Sequence, residues 1–216
     1  MKLVVFGANG ATGQCLVRIA VERGHHVTAV MREGASANVP PSVEVARGDP
    51  LDAAFVDMVI TGKDAVVTAL GVRYRRGRNP FSSIVSPLTL LSRSAANMLA
   101  AMKNHGVARI SMVSAGGVGD SRKTLAWPLR VVFRISNIHV DYEDIERAEA
   151  LLAASGLDWQ AVRPTTLTDG ASTGTRRVGR YAVTMRISRE DVARYMLHQL
   201  EQPRFDERTP MISGAV

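Results

Sequence analysis

A chain of 216 residues can form one large domain or two small ones, and without a visible linker or repeat we expect one domain over residues 1–216. Because 46% of the residues are hydrophobic, the chain can bury a sizeable core, which excludes global disorder. A single cysteine, Cys15, excludes an internal disulfide and a cysteine metal cluster, so we expect no metal.

The net charge of +7 favours anionic partners. Nucleic acid is one such partner, but only 5% of the residues are aromatic and no zinc-finger, aromatic RNA-binding or basic-helix pattern occurs. We therefore expect a small-molecule substrate and no nucleic acid. No apolar run approaches the ~20 residues that span a bilayer, and no signal-peptide pattern precedes the first strand. These features predict a cytoplasmic protein without membrane insertion, either a monomer or a homodimer.

Strand and helix patterns alternate along the chain. Short apolar runs, typical of parallel strands buried on both faces, predict strands at Leu3–Phe6, His26–Met31, Val43–Ala46, Ala65–Leu70, Arg109–Val113 and Trp159–Val162. Helical periods between them predict helices at Gln14–Glu22, Leu51–Ile60, Leu88–Asn104 and Tyr142–Ala154, and a glycine follows each. Residues 164–180 are rich in Thr, Gly and Arg and are predicted to be a loop, after which Ser188 is the expected N-cap of a final helix.

Alternating strands and helices predict an α/β protein with right-handed crossovers. The expected architecture is a doubly wound parallel sheet, the Rossmann fold, in a single domain with a small C-terminal region on the substrate side.

A glycine-rich turn, GANGATG at 7–13, joins the first strand to the first helix. Gly7 allows the tight turn, Gly10 lets a pyrophosphate approach the backbone, and Gly13 lets the helix pack closely on the sheet. The helix N-terminus then offers free N–H groups to phosphate. A cofactor-binding turn at Gly7, Asn9, Gly10, Ala11, Thr12 and Gly13 is therefore predicted, although the GxxGxxG spacing differs from GxGxxG. A tight turn without a ligand is the alternative.

Arg32 follows the second strand, nineteen residues after Gly13, where NAD-binding proteins carry a carboxylate for the ribose 2′-hydroxyl. A guanidinium binds a 2′-phosphate instead, so the sequence favours NADP(H) over NAD(H). Glu33 partly offsets this preference, and an exposed surface cation is the alternative interpretation of Arg32.

Further contacts are expected at the carboxyl ends of the strands. After the third strand, Asp49 precedes Pro50 and either accepts a hydrogen bond from the adenine amine or caps the next helix. The small residues Ala69-Leu70-Gly71 end the fourth strand beside the expected nicotinamide ribose, and Ser114 ends the fifth at the catalytic edge.

These motifs together resemble the atypical short-chain dehydrogenase/reductases of the NAD(P)H-binding, NmrA-like group, and within it the biliverdin reductase B (flavin reductase) type. Later stretches add to the resemblance, Glu149 to Pro164 and Ile187-Ser188-Arg189-Glu190-Asp191-Val192-Ala193, so that it covers nearly the whole chain. The resemblance implies that Pro164 and Thr165 also contact the cofactor. It specifies fold and cofactor more closely than substrate.

Ordinary members of the wider family use a Tyr-x-x-x-Lys pair for proton transfer. Here Tyr142 is followed four residues later by Glu146, and a carboxylate raises a tyrosine pKa rather than lowering it. Flavin and biliverdin reductases of this resemblance also lack the pair. Ser114 and His139 remain candidate catalytic residues, with a backbone-bonded hydroxyl and a structural histidine as their alternatives.

Four arginines follow the fourth strand closely, at the expected rim of the active site: Arg73, Arg75, Arg76 and Arg78. They either clamp an anionic substrate or form a solvated basic loop. The segment 121–138 mixes apolar residues with arginines and is expected to form a pocket wall or lid, a subunit contact or a membrane-surface patch.

The leading hypothesis is an NADPH-dependent oxidoreductase that transfers hydride to a flat, conjugated, anionic acceptor such as a flavin or quinone. The alternative is a non-catalytic NADP(H)-sensing regulatory or scaffold protein of the NmrA-like kind. A sugar-nucleotide epimerase or dehydratase is a third option, but it needs the missing tyrosine and lysine.

Overall fold

The computed structural model describes residues 1–36, 38–76, 79 and 81–215. Its strands, in chain order, are β1 (Lys2–Phe6), β2 (His26–Met31), β3 (Glu44–Arg47), β4 (Ala65–Thr68), β5 (Arg109–Val113), β6 (Asp158–Pro164), β7 (Thr166–Thr168), β8 (Thr175–Arg177), β9 (Arg186–Ser188) and β10 (Met211–Gly214). Eight of these described strands form one sheet in the order β3-β2-β1-β4-β5-β6-β10-β8, and β7 pairs with β9 in a small second sheet.

The described helices are α1 (Ala11–Glu22), α2 (Ala53–Ile60), α3 (Leu90–Asn104), α4 (Trp127–Ile135), α5 (Ile138–Ala154) and α6 (Arg189–Glu201). All of them except α4 pack on a face of the main sheet. One core cluster joins residues of α1 and α6 to one face of the sheet. The other joins residues of α2, α3 and α5 to the opposite face. Within the described residues, no helix combines the length and apolar character needed to cross a membrane.

The strand order confirms the predicted doubly wound sheet. Strand β1 lies between β2 and β4, and Phe6 is in register with both Val30 and Thr68. Every pairing in the main sheet is parallel except that of β8 with β10. Because the chain runs outward in opposite directions on either side of β1, a crevice opens at the carboxyl ends of β1 and β4, where such folds bind their ligands.

Two helices begin earlier than the sequence predicts. Helix α1 begins at Ala11 rather than Gln14, so the last residues of the glycine turn are already helical. Helix α5 begins at Ile138 rather than Tyr142, so His139 lies inside this helix and does not precede it. The apolar period that marks the helix body does not extend over these polar and small first turns, which explains both differences.

The predicted loop at 164–180 is wrong in part. Strand β6 extends to Pro164, and β7 and β8 follow within the segment. Each of these two strands has three residues, and β8 contains two arginines, so neither gives an apolar or alternating pattern long enough to recognise. Their pairing with strands from later in the chain supplies the hydrogen bonds that the local sequence does not predict.

The start of the final helix agrees with the sequence. The Ser188 hydroxyl accepts a hydrogen bond from the Asp191 amide at 2.9 Å and donates one to the Asp191 carboxylate at 2.8 Å. This capping interaction fixes the beginning of α6 beside the crevice.

Candidate dinucleotide-binding cleft

A cleft of about 720 Å³ opens at the switch point of the sheet. Its lining is drawn from the loops that follow β1, β2, β3 and β4, together with parts of the C-terminal region. Most of the predicted cofactor-binding residues lie on it: Gly7, Asn9, Gly10, Ala11, Thr12, Arg32, Asp49, Pro50, Ala69, Leu70 and Gly71. The predicted residues Gly13, Ser114, Pro164 and Thr165 do not line it.

Backbone packing explains two of the three glycines in the turn. Gly7 has a φ of +76°, and a Cβ there would lie 2.7 Å from the Ala69 carbonyl oxygen. A Cβ on Gly13 would lie only 2.1 Å from the Gly7 carbonyl oxygen. Helix α1 therefore approaches the end of β1 so closely that no side chain fits between them, which is the packing role expected for Gly13.

The N-terminus of α1 faces the cleft without a side-chain cap. Gly10 is the N-cap and offers no side chain, and the amides of Ala11 and Thr12 lie at the cleft wall. Uncapped amides and the positive end of the helix dipole together make an anion site. Such a site is suited to the pyrophosphate of a dinucleotide, and this contact stays a prediction.

Arg32 lies at the end of the cleft formed by β2 and β3. It is exposed, and its guanidinium makes no hydrogen bond or ion pair with the residues that the structure describes. Beside it, Arg47 donates a hydrogen bond to the Ala35 carbonyl at 2.8 Å, and that carbonyl belongs to another lining residue. Two arginines therefore lie at this end of the cleft, and Arg32 keeps its donors available for a ligand.

Asp49 does not cap the following helix. The N-cap of α2 is Asp52, whose carboxylate accepts from the amides of Ala54 and Phe55 at 3.0 and 3.3 Å. Asp49 accepts a hydrogen bond from the Leu51 amide through Oδ1 at 2.9 Å and remains exposed on the cleft wall. The capping alternative is therefore removed, and the adenine contact stays a prediction.

Ser114 belongs to a buried polar network below the carboxyl ends of β5 and β6. Its hydroxyl donates to Glu149 Oε1 at 2.5 Å. Arg163 donates to both oxygens of Glu149, at 3.0 and 2.6 Å, and to Asp120 at 2.5 Å. The hydrogen bond from Arg163 lowers the pKa of Asp120. The Ser114 proton is thus engaged by a carboxylate, whereas a backbone partner was the expected alternative to catalysis.

Pro164 at the end of β6 and Thr165 directly after it, which the resemblance assigns to the cofactor, have backbone roles here. The Pro164 carbonyl accepts from the Gly116 amide at 2.8 Å, and the Thr165 amide donates to the Ile212 carbonyl at 2.9 Å. The Thr165 hydroxyl is buried and has no partner among the described residues. Their contact with a cofactor stays a prediction.

Tyr142 is placed for packing rather than for proton transfer. Its hydroxyl donates to the Gly116 carbonyl at 3.1 Å, and its ring meets Phe133 edge to face with centroids 4.3 Å apart. Burial raises the pKa of this phenol. Glu146 is exposed and pairs with Arg122 at 3.4 Å, so the helix position of the usual lysine holds a carboxylate turned to solvent.

The described parts of the arginine-rich loop, residues 73–76 and 81–86, run beside each other and form a hairpin-like strap. The Val85 amide donates to the Arg73 carbonyl, and Tyr74 forms a bridge with Ile84. The Tyr74 hydroxyl donates to the buried Asp141 carboxylate, which attaches the strap to α5. Burial, opposed by this hydrogen bond, raises the pKa of Asp141 to about 6.

Of the four predicted substrate-side arginines, Arg73 lines the cleft, while Arg75 and Arg76 are exposed farther along the strap. Arg78 lies outside the described residues. The candidate His139 is exposed on α5, where its Nδ1 donates to the Ser136 carbonyl at 2.7 Å, and it does not line the cleft.

Sequence analysis missed several lining residues. Arg189, at the first position of α6, lines the cleft and pairs with Asp169 at 2.7 Å although only 8% of it is exposed. Leu167 of β7, the strap residues Val85 and Ser86, and the following Pro87 also line the cleft. The stretch Ile187–Ala193 carried a signal for Arg189, since it was part of the family resemblance, but nothing in it indicated proximity to the cleft.

Comparison with known proteins identifies the family. A family model described as NAD(P)H-binding matches residues 7–203. The chain therefore belongs to this NAD(P)H-binding family, which confirms the expected resemblance at that level.

Two curated proteins show lower-level sequence similarity to the chain, below 30% identity. An uncharacterized protein of Mycobacterium tuberculosis is 29% identical over 163 residues, which are 76% of this chain but 14% of that protein. A UPF0659 protein of Schizosaccharomyces pombe is 24% identical over 213 residues, covering 90% of this chain and 82% of its own. The chain thus spans only about a seventh of the length of the mycobacterial relative.

Solved structures share the fold. ChuY, an anaerobilin reductase from Escherichia coli O157:H7, superposes with a TM-score of 0.77 at 22% identity, covering 98% of this chain and 96% of ChuY. A short-chain dehydrogenase/reductase from Veillonella parvula in complex with NADP gives a TM-score of 0.78 at 17% identity, covering 99% and 94%. At these identities the likeness establishes the Rossmann fold.

Proposed function

We propose that this protein is an NADPH-dependent oxidoreductase that transfers hydride to a flat, conjugated, anionic acceptor such as a flavin or quinone. The observation that carries the proposal is the distribution of charge along the cleft. An unpaired arginine, Arg32, lies at one end, uncapped helix amides lie in the middle, and Arg73 of the strap lies near the other end. An extended, multiply charged cofactor with an anionic acceptor beside it complements this arrangement.

The preference for NADP(H) over NAD(H) rests on Arg32. An NAD-specific site needs an acceptor for the ribose 2′-hydroxyl, and a carboxylate in that place repels a 2′-phosphate. Here the exposed guanidinium has its five donors available, and the neighbouring Glu33 is exposed and makes no contact with it. The NADP bound by the Veillonella parvula neighbour supports this choice of cofactor class.

When bound, the nicotinamide supplies the hydride, and the chain supplies position and electrostatics. The Ala69-Leu70-Gly71 turn, fixed by the Ala69 amide that donates to the Phe6 carbonyl at 2.9 Å, would hold the nicotinamide ribose. Arg73 orients the anionic acceptor across the cleft mouth. The Ser114 hydroxyl is engaged by Glu149 outside the cleft lining, so solvent would deliver the proton that the acceptor takes up.

Steady-state oxidation of NADPH tests the proposal, followed at 340 nm with a panel of flavins and quinones that differ in charge. We expect turnover with at least one member, with NADPH preferred over NADH, and a raised KM for anionic acceptors in Arg73→Ala. The matched control is Arg93→Ala, an exposed arginine of α3 that lies outside the cleft lining. No turnover across the whole panel contradicts the proposal.

A non-catalytic NADP(H)-sensing role is the second candidate. The specific observation in its favour is that the two hydroxyls nearest the usual catalytic positions are already engaged, Ser114 by Glu149 and Tyr142 by Gly116. In that case NADPH should bind without being consumed and should change the affinity for a protein partner. An affinity for the protein partner that is the same with and without NADPH contradicts this alternative.

The remaining expectations on cellular setting belong to the proposal as well. We place the protein in the cytoplasm as a monomer or homodimer that binds a small molecule and no nucleic acid. Size-exclusion chromatography with light scattering tests the oligomeric state, a gel-shift assay tests nucleic-acid binding, and cell fractionation tests the location.

A further inference from the structure

Helix α4 is the one helix among the described elements with no buried residue. It carries three large apolar side chains that are largely exposed to solvent. The exposed fractions are 76% for Trp127, 48% for Val131 and 65% for Ile135. Single exposed apolar residues are ordinary on a protein surface, but a tryptophan and two aliphatic residues on one short helix are a contiguous patch that calls for a partner.

The three side chains form a single stripe. They are spaced four residues apart, so they lie one above the other along the helix. The opposite face is already occupied, because Leu129 and Phe133 pack on the small cluster that contains Tyr181. The orientation of α4 is therefore fixed by packing, and the stripe faces outward in the folded protein.

Cations border the stripe. Arg130 and Arg134 are also four residues apart on the neighbouring side of the helix, and Arg122 and Lys123 precede it in a 3₁₀ turn at Gly119–Thr124. Residues 119–136 contain these four bases and a single acid, Asp120, which is bound to the buried Arg163. Of the four, Arg122 pairs with the exposed Glu146 at 3.4 Å, and Arg130 donates to the Leu125 and Lys123 carbonyls. Arg134 makes no hydrogen bond or ion pair within the described part of the chain.

We propose that α4 binds the surface of an anionic lipid bilayer, lying in the plane of the interface with Trp127, Val131 and Ile135 inserted among the headgroups. An amphipathic helix with tryptophan and aliphatic residues on one face and arginines beside them has the composition of an interfacial helix. Tryptophan favours the headgroup level, and arginine reaches anionic phosphates while its stem stays on apolar surface. The excess of positive charge across the whole protein attracts it to such a surface.

This inference goes beyond the proposed reductase activity and does not depend on it, since no residue of α4 lines the cleft. Helix α4 is nevertheless connected to the cleft through its neighbours. Phe133 contacts Tyr142, whose hydroxyl reaches the Gly116 carbonyl just after β5, and Asn137 donates to the Ser82 carbonyl of the strap. A docked molecule therefore turns the carboxyl edge of its sheet and the strap toward the bilayer.

Tryptophan fluorescence with vesicles tests the proposal on the full chain. The protein has two tryptophans, and Trp159→Phe leaves Trp127 as the sole one. With vesicles of phosphatidylcholine containing phosphatidylglycerol, we expect the Trp127 emission to shift to the blue and to be quenched by brominated lipid. With pure phosphatidylcholine vesicles, binding should be about tenfold weaker, and added salt should weaken binding to the anionic vesicles.

Matched variants distinguish binding through α4 from nonspecific binding of the protein to vesicles. In vesicle co-sedimentation, the double variant Trp127→Ser with Ile135→Ser should bind anionic vesicles about tenfold less tightly. The single variant Arg134→Ala should bind them about fivefold less tightly. Met58→Ser, at a 63% exposed residue of α2, and Arg93→Ala are the apolar and charged controls and should bind like the parent. All of these side chains are exposed, so thermal unfolding should show the variants to be folded.

Three results overturn the proposal. The first is no co-sedimentation of the parent with anionic vesicles, and the second is equal loss of binding in the control variants. The third is a parent that dimerises in solution through this stripe, becomes monomeric in the double variant, and leaves the Trp127 emission unchanged by lipid. That result assigns the surface to a second copy of the chain.

Discussion

The substitution Arg32→Asp tests the assignment of the 2′-phosphate site. Arg32 is exposed at the cleft and has no ion pair within the described residues, so replacing it removes no structural contact. Loss of a charge-assisted hydrogen bond to phosphate removes about 1–3 kcal/mol of binding free energy, which corresponds to roughly 5–150-fold in Kd. The new carboxylate repels the phosphate as well, so we expect the upper part of that range.

Isothermal titration calorimetry of NADPH and NADH, each at low and moderate salt, measures this effect. NADPH affinity should fall strongly while NADH affinity changes little, and the difference should shrink with added salt because the site is exposed. Arg93→Asp is the control for a general change of charge. If NADPH and NADH bind with equal affinity both before and after the Arg32 substitution, the assignment of Arg32 is wrong.

Three further substitutions probe the turn, the buried network and the strap. Gly13→Ala places a Cβ 2.1 Å from the Gly7 carbonyl oxygen, so it should weaken both dinucleotides in calorimetry and destabilise the fold by about 1–3 kcal/mol. Glu149→Gln removes the charge that faces buried Arg163 and should lower the free energy of unfolding in urea by about 3 kcal/mol. Asp141, whose pKa is raised to about 6, takes up a proton more readily when folded than when unfolded. As the pH rises from 4 to 6, the free energy of unfolding of the parent should therefore fall by about 1–3 kcal/mol relative to that of Asp141→Asn. Above pH 6 the difference between the two proteins should stay constant.

Distinct outcomes contradict each of these. If Gly13→Ala binds both dinucleotides as tightly as the parent, α1 does not approach the Gly7 carbonyl as closely as the structure shows. A loss in Glu149→Gln no greater than in Glu143→Gln, at an exposed position of the same helix, means that the buried network does not stabilise the fold. Parallel stability profiles of the parent and Asp141→Asn across pH 4–6 mean that burial does not perturb this carboxyl.

The central sheet and the cofactor cleft could be predicted from sequence because their signals are local. The apolar runs of β1 and β2 and the glycine turn between β1 and α1 each lie within a dozen residues. The turn needs small residues where backbones meet, as at Gly7 and Gly13, and that requirement is visible in the sequence. The family resemblance then indicated that these local motifs belong to one cofactor-binding site.

Residues that meet over long sequence separations could not be predicted in the same way. Glu149 reaches Ser114 from 35 residues away, and Tyr74 reaches Asp141 from 67. Arg189 enters the cleft because α6 packs beside α1, a contact that no local pattern encodes. Short strands such as β8 are defined by their partners, so their own three residues carried too little signal.

The most direct test of the proposed reductase is a single-turnover measurement of NADPH oxidation with the nicotinamide deuterated at C4 on one face or the other. The protein is mixed anaerobically in excess over NADPH with an accepted flavin or quinone, and absorbance at 340 nm is followed by stopped flow. The account predicts a primary isotope effect for one of the two labels only, as expected when the cleft holds the nicotinamide with one face toward the acceptor. NADPH that binds but stays reduced, or oxidation with no isotope effect for either label, contradicts it.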